Sequence, residues 1–509
     1  MRLQLDRLTG TLTMYKLVIV CLAAIGVIAL VPAFLGQLGG IQPLALLASA
    51  AVAIVATNAS SVAIARMLRV TPHLDSAMIT ALLVFFVMDP RFDLVGLLSI
   101  ALAGMIASAS KYLIAVRGRH ILNPAVVGVF AVTIIAFAGV ADFSYARWWV
   151  GTPSLLLPVA IAAFLILYRT QRLAMGAVFL AVTLGVVVVR YALSGTPVDQ
   201  AVADTLLSGP AVFFVGFILS EPLTLPPRRW QAMLEAVLVA LLMNVPFRVG
   251  IVGNSPHLAL LAGNVLAFAF GQRRGIRLTY LGKRQLSDTT WELSFQPDRP
   301  VRFSPGQYME LTIPHRKADF RGSRRYFSVA SAPAPDAPIT FAITRPSKSS
   351  SFKQALLELE PGAVVRATSV GGDFVLPRDR SQPLLLVAGG IGITPFASQL
   401  AHAAARGEQR DVVVAYQTST AGTPPYASVL ADAGARVVLF APEPPSPLPE
   451  GWYYGGPGRV DGQRLAELVP DAARRRAFIS GPPALVSDLR RALRGLGLRR
   501  VHTDSFSGY

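Results

Sequence analysis

The sequence predicts a multi-domain chain. A polytopic α-helical membrane domain fills residues 1–272, a small antiparallel β-barrel 276–378 and an α/β domain 381–509. Three observations predict this. Of 509 residues, 53% are hydrophobic and only 15% charged, against about 25% charged in ordinary soluble domains. The mean hydropathy is +0.51. The apolar surplus sits in the first half, and after Arg277 the texture changes to short runs separated by turn signals.

Ten apolar runs fall at 15–35, 42–64, 76–90, 93–110, 123–141, 152–168, 174–193, 208–222, 231–247 and 257–271. They are read as spans of about 30 Å of hydrocarbon, the third and eighth being short. With the N-terminus inside, fourteen Lys and Arg lie at inner ends and only Arg91, Arg147, Arg190 and Arg248 at outer ends. This is the positive-inside bias. An even number of spans returns the chain to the cytoplasmic side at residue 272. The formal net charge of +18 is therefore read as membrane topology plus a basic cytoplasmic domain, and not as nucleic-acid binding. The first run is too long for a cleaved signal peptide. The single cysteine, Cys21, lies in an apolar run, so no disulfide framework, cysteine zinc site or iron–sulfur cluster is expected from this chain.

Two spacings suggest an internal repeat. FFVMDP ends the third run at Pro90 and FILSEP the eighth at Pro222, and 222 − 90 = 132. Asn123-Pro124 opens the fifth run and Asn254-Ser255-Pro256 the tenth, and 256 − 124 = 132. The members of each pair fall on opposite sides of the membrane, which is the signature of a five-plus-five inverted repeat. Asp89 and Glu221 are acids beside prolines at breaks in apolar segments. Either they line a cavity at membrane depth or they sit at the headgroup boundary.

SKYLIAVRGRHILNP (110–124), LSEPLTLPP (219–227) and the ten-run layout resemble one membrane family. It contains the B subunit of Na⁺-translocating NADH:quinone oxidoreductase and the D subunit of the Rnf complex. The resemblance covers roughly residues 15–272. It implies electron transfer in the membrane through a second flavin, FMN or riboflavin. The family's covalent FMN is carried by a threonine in a Ser-Gly-Ala-Thr motif, which this chain lacks. Thr152, in WWVGTP, stands nearest in chain order, and an ordinary loop threonine is the plainer reading. The membrane-domain candidates are Asp89, Asn123, Thr152, Glu221 and Thr224.

In the second half, IRLTYLGKRQ, TWELSFQP, QYMELTIP, ITFAITRP and AVVRATSV read as strands of the barrel. From residue 383, PLLLVAGGIGITPFASQL begins a strand–turn–helix pattern repeated to the C-terminus. A glycine-rich turn between strand and helix lets backbone N–H groups approach a pyrophosphate. Gly389, Gly390 and Gly392 suit that need.

Taken in order, Arg325-Tyr326-Phe327-Ser328, Gly372-Asp373-Phe374, the glycine turn and Ser480-Gly481-Pro482 resemble the ferredoxin–NADP⁺ reductase-like family over 276–509. The resemblance implies FAD and either NADH or NADPH. It implies that Arg325 holds the flavin pyrophosphate, as a guanidinium fork can. Tyr326 belongs to the same block. Phe327 keeps the family's ring without its hydroxyl. Ser328 and Ser480 lie at the hydride-transfer position, Ser480 where many members carry cysteine. Ser349, Ser350 and Ser351 offer a second phosphate contact, and Phe506 or Tyr509 an aromatic cover. Gly392, Thr394 and Pro395 line the nicotinamide side. QTSTAGTPPY, after the strand at 412–416, has no Arg or Lys to meet a 2′-phosphate, which favours NADH.

The expected function is a membrane flavoprotein oxidoreductase moving electrons between NAD(P)H, FAD and a membrane or partner acceptor. Its partners would be the bilayer and a ferredoxin-like or flavinylated protein, with the redox domain cytoplasmic. Two alternatives stand beside it. One is a redox-driven ion pump with Asp89 and Glu221 as its sites, and the other a reductase whose membrane half is only an anchor. A haem-bearing reductase is disfavoured, because none of the six histidines lies mid-run and no two share a run.

Overall fold

The computed structural model describes residues 14–270 and 275–505, apart from 71, 117–118, 140–141, 196, 227, 251, 316–322, 346–349 and 499. The chain forms two compact units, Thr11–Arg274 and Gly275–Tyr509.

The first unit is helical. Its elements are α1 (Met14–Phe34), α2 (Pro43–Met67), α3 (Leu74–Val87), α4 (Leu94–Leu113), a hairpin of β1 (Ala115–Val116) and β2 (Arg119–His120), and α5 (Pro124–Phe137). Then come α6 (Pro153–Arg169), α7 (Leu173–Leu193), α8 (Val198–Leu206), α9 (Ala211–Phe213) running on as a π-turn over Phe214–Ile218, and α10 (Arg229–Asn244). A hairpin of β3 (Arg248–Val249) and β4 (Val252–Gly253) leads to α11 (Pro256–Ala269).

Helix occupies each predicted apolar run, with lengths that differ from the runs. Among the described residues four helices, α1, α2, α4 and α7, are long and apolar enough to cross a membrane. A fifth is reached if α8 and the α9 segment, bent by 49°, count as one. Helices α5 and α11 have 14 residues each, which is about 21 Å of rise, short of the hydrocarbon thickness. Residue counts along an apolar run overestimated the helices, because proline and the N-cap fix where a helix can start. Asn123 caps α5 by accepting from Val126 N, and Ser255 caps α11 by accepting from Leu258 N.

The element order repeats. A helix, a two-residue hairpin, a capping residue and a proline-opened 14-residue helix occur at α4–α5 and again at α10–α11. Helix α2 packs on α4 and α4 on α5, as α7 packs on α10 and α10 on α11. The repeats meet where α1 touches α6 and α5 touches α11.

The second unit opens with a six-stranded antiparallel sheet. It contains β5 (Ile276–Ser287), β6 (Thr290–Pro297), β7 (Tyr308–Thr312), β8 (Arg324–Ser328), β9 (Ile339–Thr344) and β10 (Val364–Gly371), in the order β8-β7-β10-β5-β6-β9. A bridge between Val329 and Phe341 joins the two ends and curls the sheet on itself. Alternate residues Leu278 and Tyr280, Leu293 and Phe295, and Met309 and Leu311 fill its core, as a period of two requires. The short helix α12 (Ser351–Leu357) adds Phe352 and Leu356 to that core.

A parallel sheet follows. Its strands are β11 (Leu384–Gly389), β12 (Val412–Gln417), β13 (Arg436–Phe440), β14 (Trp452–Gly456), β15 (Arg476–Gly481) and β16 (Val501–Ser505), ordered β14-β13-β12-β11-β15-β16. Helices α13 (Thr394–Ala405), α14 (Ala427–Asp432), α15 (Gly462–Leu468) and α16 (Pro483–Gly495) complete the domain. Leu384, Leu386 and Ala388 face one core and Leu385 and Val387 the other. Such a strand, buried on both faces, explains the unbroken apolar run.

Candidate functional site

The chain runs outward from β11 through β12 and β13 to β14, then returns to place β15 on the other side of β11. The order reverses at the β11/β15 boundary. In open α/β sheets the crevice beyond the strand carboxyl ends at such a reversal receives the ligand. Gly389 ends β11 and Ser480-Gly481 ends β15, so both predicted segments border that crevice.

The backbone there is close-set. Gly390 adopts φ +55° at the start of a 3₁₀ turn over Gly390–Ile393. A Cβ on Gly392 would fall 2.3 Å from Ser480 O, so only glycine lets this turn rest on the end of β15. Thr394 Oγ1 donates to Ile391 O at 3.0 Å, and Pro395 stands in the first turn of α13. Pro482 precedes the first turn of α16.

The barrel brings β8 to the same place. Ala330, just past β8, packs in one core with Ile393, Phe396 and Phe478 of the α/β domain. Ser398 Oγ donates to Ser331 O at 2.7 Å, and Gln399 Nε2 to Phe374 O at 2.7 Å. Ser328 and Ser480 are buried, and neither Oγ has a hydrogen-bond partner among the described residues. A buried hydroxyl left unmatched costs about 1–3 kcal/mol. Two of them, at the ends of β8 and β15, fit a polar cofactor.

The other predicted residues are placed as follows. Arg325 Nη1 donates to Arg324 O at 2.6 Å, and its guanidinium lies 5.3 Å from the centre of the Phe352 ring. Phe327 is half-buried and stacks on Phe352 at 5.9 Å, inside the barrel. Tyr326 is exposed and meets Tyr308 edge-on at 5.3 Å. Ser350 Oγ caps α12 by accepting from Lys353 N. Ser351 Oγ lies 3.0 Å from His315 Nε2. Gly372 follows β10, and its carbonyl accepts from Gln307 Nε2 at 2.9 Å. Phe374 is a core residue between Phe396 and Phe478. Ser349, Phe506 and Tyr509 lie outside the described residues.

One acid here escaped sequence reasoning. Asp504 on β16 stands opposite Ser480 in the parallel register. Desolvation, with the Asp373 carboxylate adding to it, pushes its carboxyl up to about 6. The signal was an acid in the last strand, legible only once β16 is known to pair with β15.

The helical unit holds a second polar group of residues. Glu221 Oε1 lies 3.0 Å from His120 Nε2, and Oε2 accepts from Asn123 Nδ2 at 2.7 Å. Asn123 N donates to Asn264 Oδ1 at 2.8 Å. Thr224 Oγ1 is 3.4 Å from Glu221 O. Asp89 is elsewhere, accepting from Arg147 Nη1 at 2.9 Å. Thr152 Oγ1 is buried without a hydrogen bond among the described residues. Glu235 and Asn264 were missed by the sequence reading. Glu235 is fully buried and neither of its carboxylate oxygens has a hydrogen-bond partner among the described residues. A lone acid in an apolar helix is the signal that could have found it.

No family model matches the chain. Its C-terminal half is similar to curated reductases. The NADPH oxidoreductase of Mycobacterium tuberculosis is 26% identical over 249 residues, 48% of this chain and 63% of that protein. The reductase subunit of an aromatic O-demethylase from Amycolatopsis is 28% identical over 248 residues, 46% of this chain and 70% of that protein. The crystal structure of the Amycolatopsis cytochrome P450 reductase GcoB matches 46% of this chain and 70% of its own, with a TM-score of 0.39 at 25% identity. The chain spans 53% of a Bordetella pertussis flavohemoprotein that it also matches. The C-terminal half thus resembles ferredoxin reductase-like FAD/NAD-binding modules.

Proposed function

We propose that this chain is a membrane flavoprotein oxidoreductase working between NAD(P)H, FAD and an acceptor in the membrane unit or on a partner protein. The observation that carries the reading is the pair of buried, unmatched hydroxyls, Ser328 Oγ at the end of β8 and Ser480 Oγ where β15 ends at the sheet's reversal. FAD, when bound, supplies acceptance of a hydride and release of single electrons. Arg325, Ser350 and the barrel face beside them hold its phosphates. Ser328 orients its reactive edge. Gly389–Gly392 and the start of α13 receive the dinucleotide pyrophosphate through backbone N–H groups. Ser480 positions the nicotinamide. Asp504, its carboxyl raised to about 6, holds a proton beside Ser480 in mildly acid conditions. The absence of Arg and Lys from residues 417–426 favours NADH.

In this reading the four long apolar helices fix the chain in a bilayer, with the redox unit on the cytoplasmic face. The acceptor is a second flavin in the membrane unit or a ferredoxin-like or flavinylated partner. Acid extraction and chromatography of the detergent-purified protein test it. About one FAD per chain is expected, with a second flavin if the membrane unit conducts electrons. A protein purified without FAD, and unable to bind it, overturns the reading.

A second reading is favoured by one observation, the fully buried and unmatched Glu235 in the helical unit. Charges at membrane depth mark ion or proton pathways. Redox turnover in sealed vesicles distinguishes the two readings, because only ion coupling builds a gradient.

A further inference from the structure

A carboxylate of the barrel reaches into the neighbouring domain. Glu292 on β6 is nine-tenths buried. Its Oε2 accepts from Arg284 Nη2 of β5 at 2.8 Å. Its Oε1 accepts from Thr340 Oγ1 of β9 at 3.2 Å and from the Tyr426 hydroxyl at 3.0 Å. Arg284 and Thr340 belong to the barrel. Tyr426, 134 residues along the chain, belongs to the α/β domain and is itself buried. Leu286, at the end of β5, packs against the same core as Tyr426. An apolar side chain would have filled this position, and a buried charge is weak evidence of added stability. What a directional bond adds is a fixed position.

Tyr426 is also a conformational exception. It sits at φ +64° immediately before α14, a region that an L-residue with a large side chain rarely occupies. Such strain persists only where the surroundings over-determine it. Here a buried ring and a bond to a buried carboxylate do so. Burial, and then the Glu292 charge beside it, push the Tyr426 hydroxyl well above its ordinary range, so it stays a donor.

The segment that Tyr426 terminates lies beyond the carboxyl end of β12. In a doubly wound sheet this region faces the adenosine ribose of a bound dinucleotide. Its start is fixed to the α/β domain: Thr418 N donates to Phe440 O at 2.9 Å and Gly422 N to Glu443 O at 3.1 Å. Its far end is fixed to the barrel through Glu292.

We infer that the Tyr426–Glu292 bond is a positioning contact that holds the adenosine-side loop of the dinucleotide site against the flavin barrel. A dinucleotide seated on that loop is thereby registered to the barrel, and its nicotinamide to the Ser328 edge. Neither residue touches the reacting atoms. The inference rests on the reductase reading above.

The test is rapid-mixing reduction of the full-length, FAD-loaded protein by NADH, with thermal midpoints measured alongside. Tyr426→Phe keeps the ring and removes the bond. It is expected to lower the limiting reduction rate about ten- to a hundredfold, the scale of a misplacement near 1 Å, and to raise the NADH concentration needed for half-saturation. Glu292→Gln keeps an acceptor oxygen for Tyr426 and is expected to retain most of the rate. Glu292→Ala should match Tyr426→Phe, and the double variant Tyr426→Phe/Glu292→Ala should be no slower than either, as two ends of one contact require. A Tyr426→Phe protein that is less stable yet reduced at the wild-type limiting rate overturns the inference, as do additive losses in the double variant. If Tyr426→Phe fails to fold, the Glu292→Gln and Glu292→Ala pair decides, and equal rates in the two overturn it. Wild-type protein that neither NADH nor NADPH reduces sinks the reductase reading, and this inference with it. Wild-type reduction with no difference in Tyr426→Phe sinks the inference alone.

Discussion

In the first half of the helical unit a hairpin leads to Asn123 and the 14-residue helix α5. In the second half a hairpin leads to Ser255 and the 14-residue helix α11. The acid at the matching break is Asp89 in one half and Glu221 in the other. Asp89 is met by Arg147, a half-exposed pair. Glu221 is held by His120 and Asn123, and Asn123 leads on to Asn264. The position 132 residues before Asn264 is Val132, and the one 132 residues before Glu235 is Ala103. The repeated scaffold thus carries one buried network that joins its two halves, His120 and Asn123 from the first and Glu221 and Asn264 from the second. The break acid of the second half belongs to it, and that of the first does not.

That comparison can be broken by substitution. Glu221→Ala leaves His120 and Asn123 buried without their partner and should cost about 3 kcal/mol, the penalty for breaking a part-buried pair. The thermal midpoint in detergent reads it. Asn123→Ala removes a helix cap and the side-chain bond to Glu221 and should cost about 2 kcal/mol, whereas Ser255→Ala removes the matching cap alone, worth about 1 kcal/mol. Equal losses at the two caps would mean that the halves are equivalent after all.

The second unit offers a contrasting acid. The Asp504 carboxyl is raised from 3.8 to about 6, so the fold favours its protonated form. Its contribution is present at low pH and is lost as pH rises from about 4 through about 6. Asp504→Asn should therefore stabilise the protein above that window, by no more than about 2 kcal/mol, and leave it unchanged below. Denaturation midpoints at the two ends of the window check this. The smallest effect is expected at Asp89→Ala, under about 1 kcal/mol, because its arginine partner is substantially exposed.

What the sequence made legible follows from how local each signal is. Pro90, Pro124, Pro222 and Pro256 mark breaks by their own chemistry, and the repeat was readable from their spacing. The glycine turn and the end of β15 declared themselves through short strings. Helix lengths did not, since an apolar run does not say where its cap lies. The Asn123–Asn264 bond joins residues 141 apart, and Asp504 faces Ser480 only through strand pairing. Neither long-range pairing leaves a local trace. Glu292 reads as an ordinary strand residue until Tyr426 is found beside it.

The central claim is that a flavin held at the Ser328–Ser480 crevice takes electrons from a nicotinamide dinucleotide. Anaerobic titration of the purified, FAD-loaded full chain with NADH tests it most directly. The account predicts loss of the oxidised flavin absorbance at about one NADH per FAD, slowed in Ser328→Ala and in Ser480→Ala. A bound flavin whose spectrum neither NADH nor NADPH changes would contradict it.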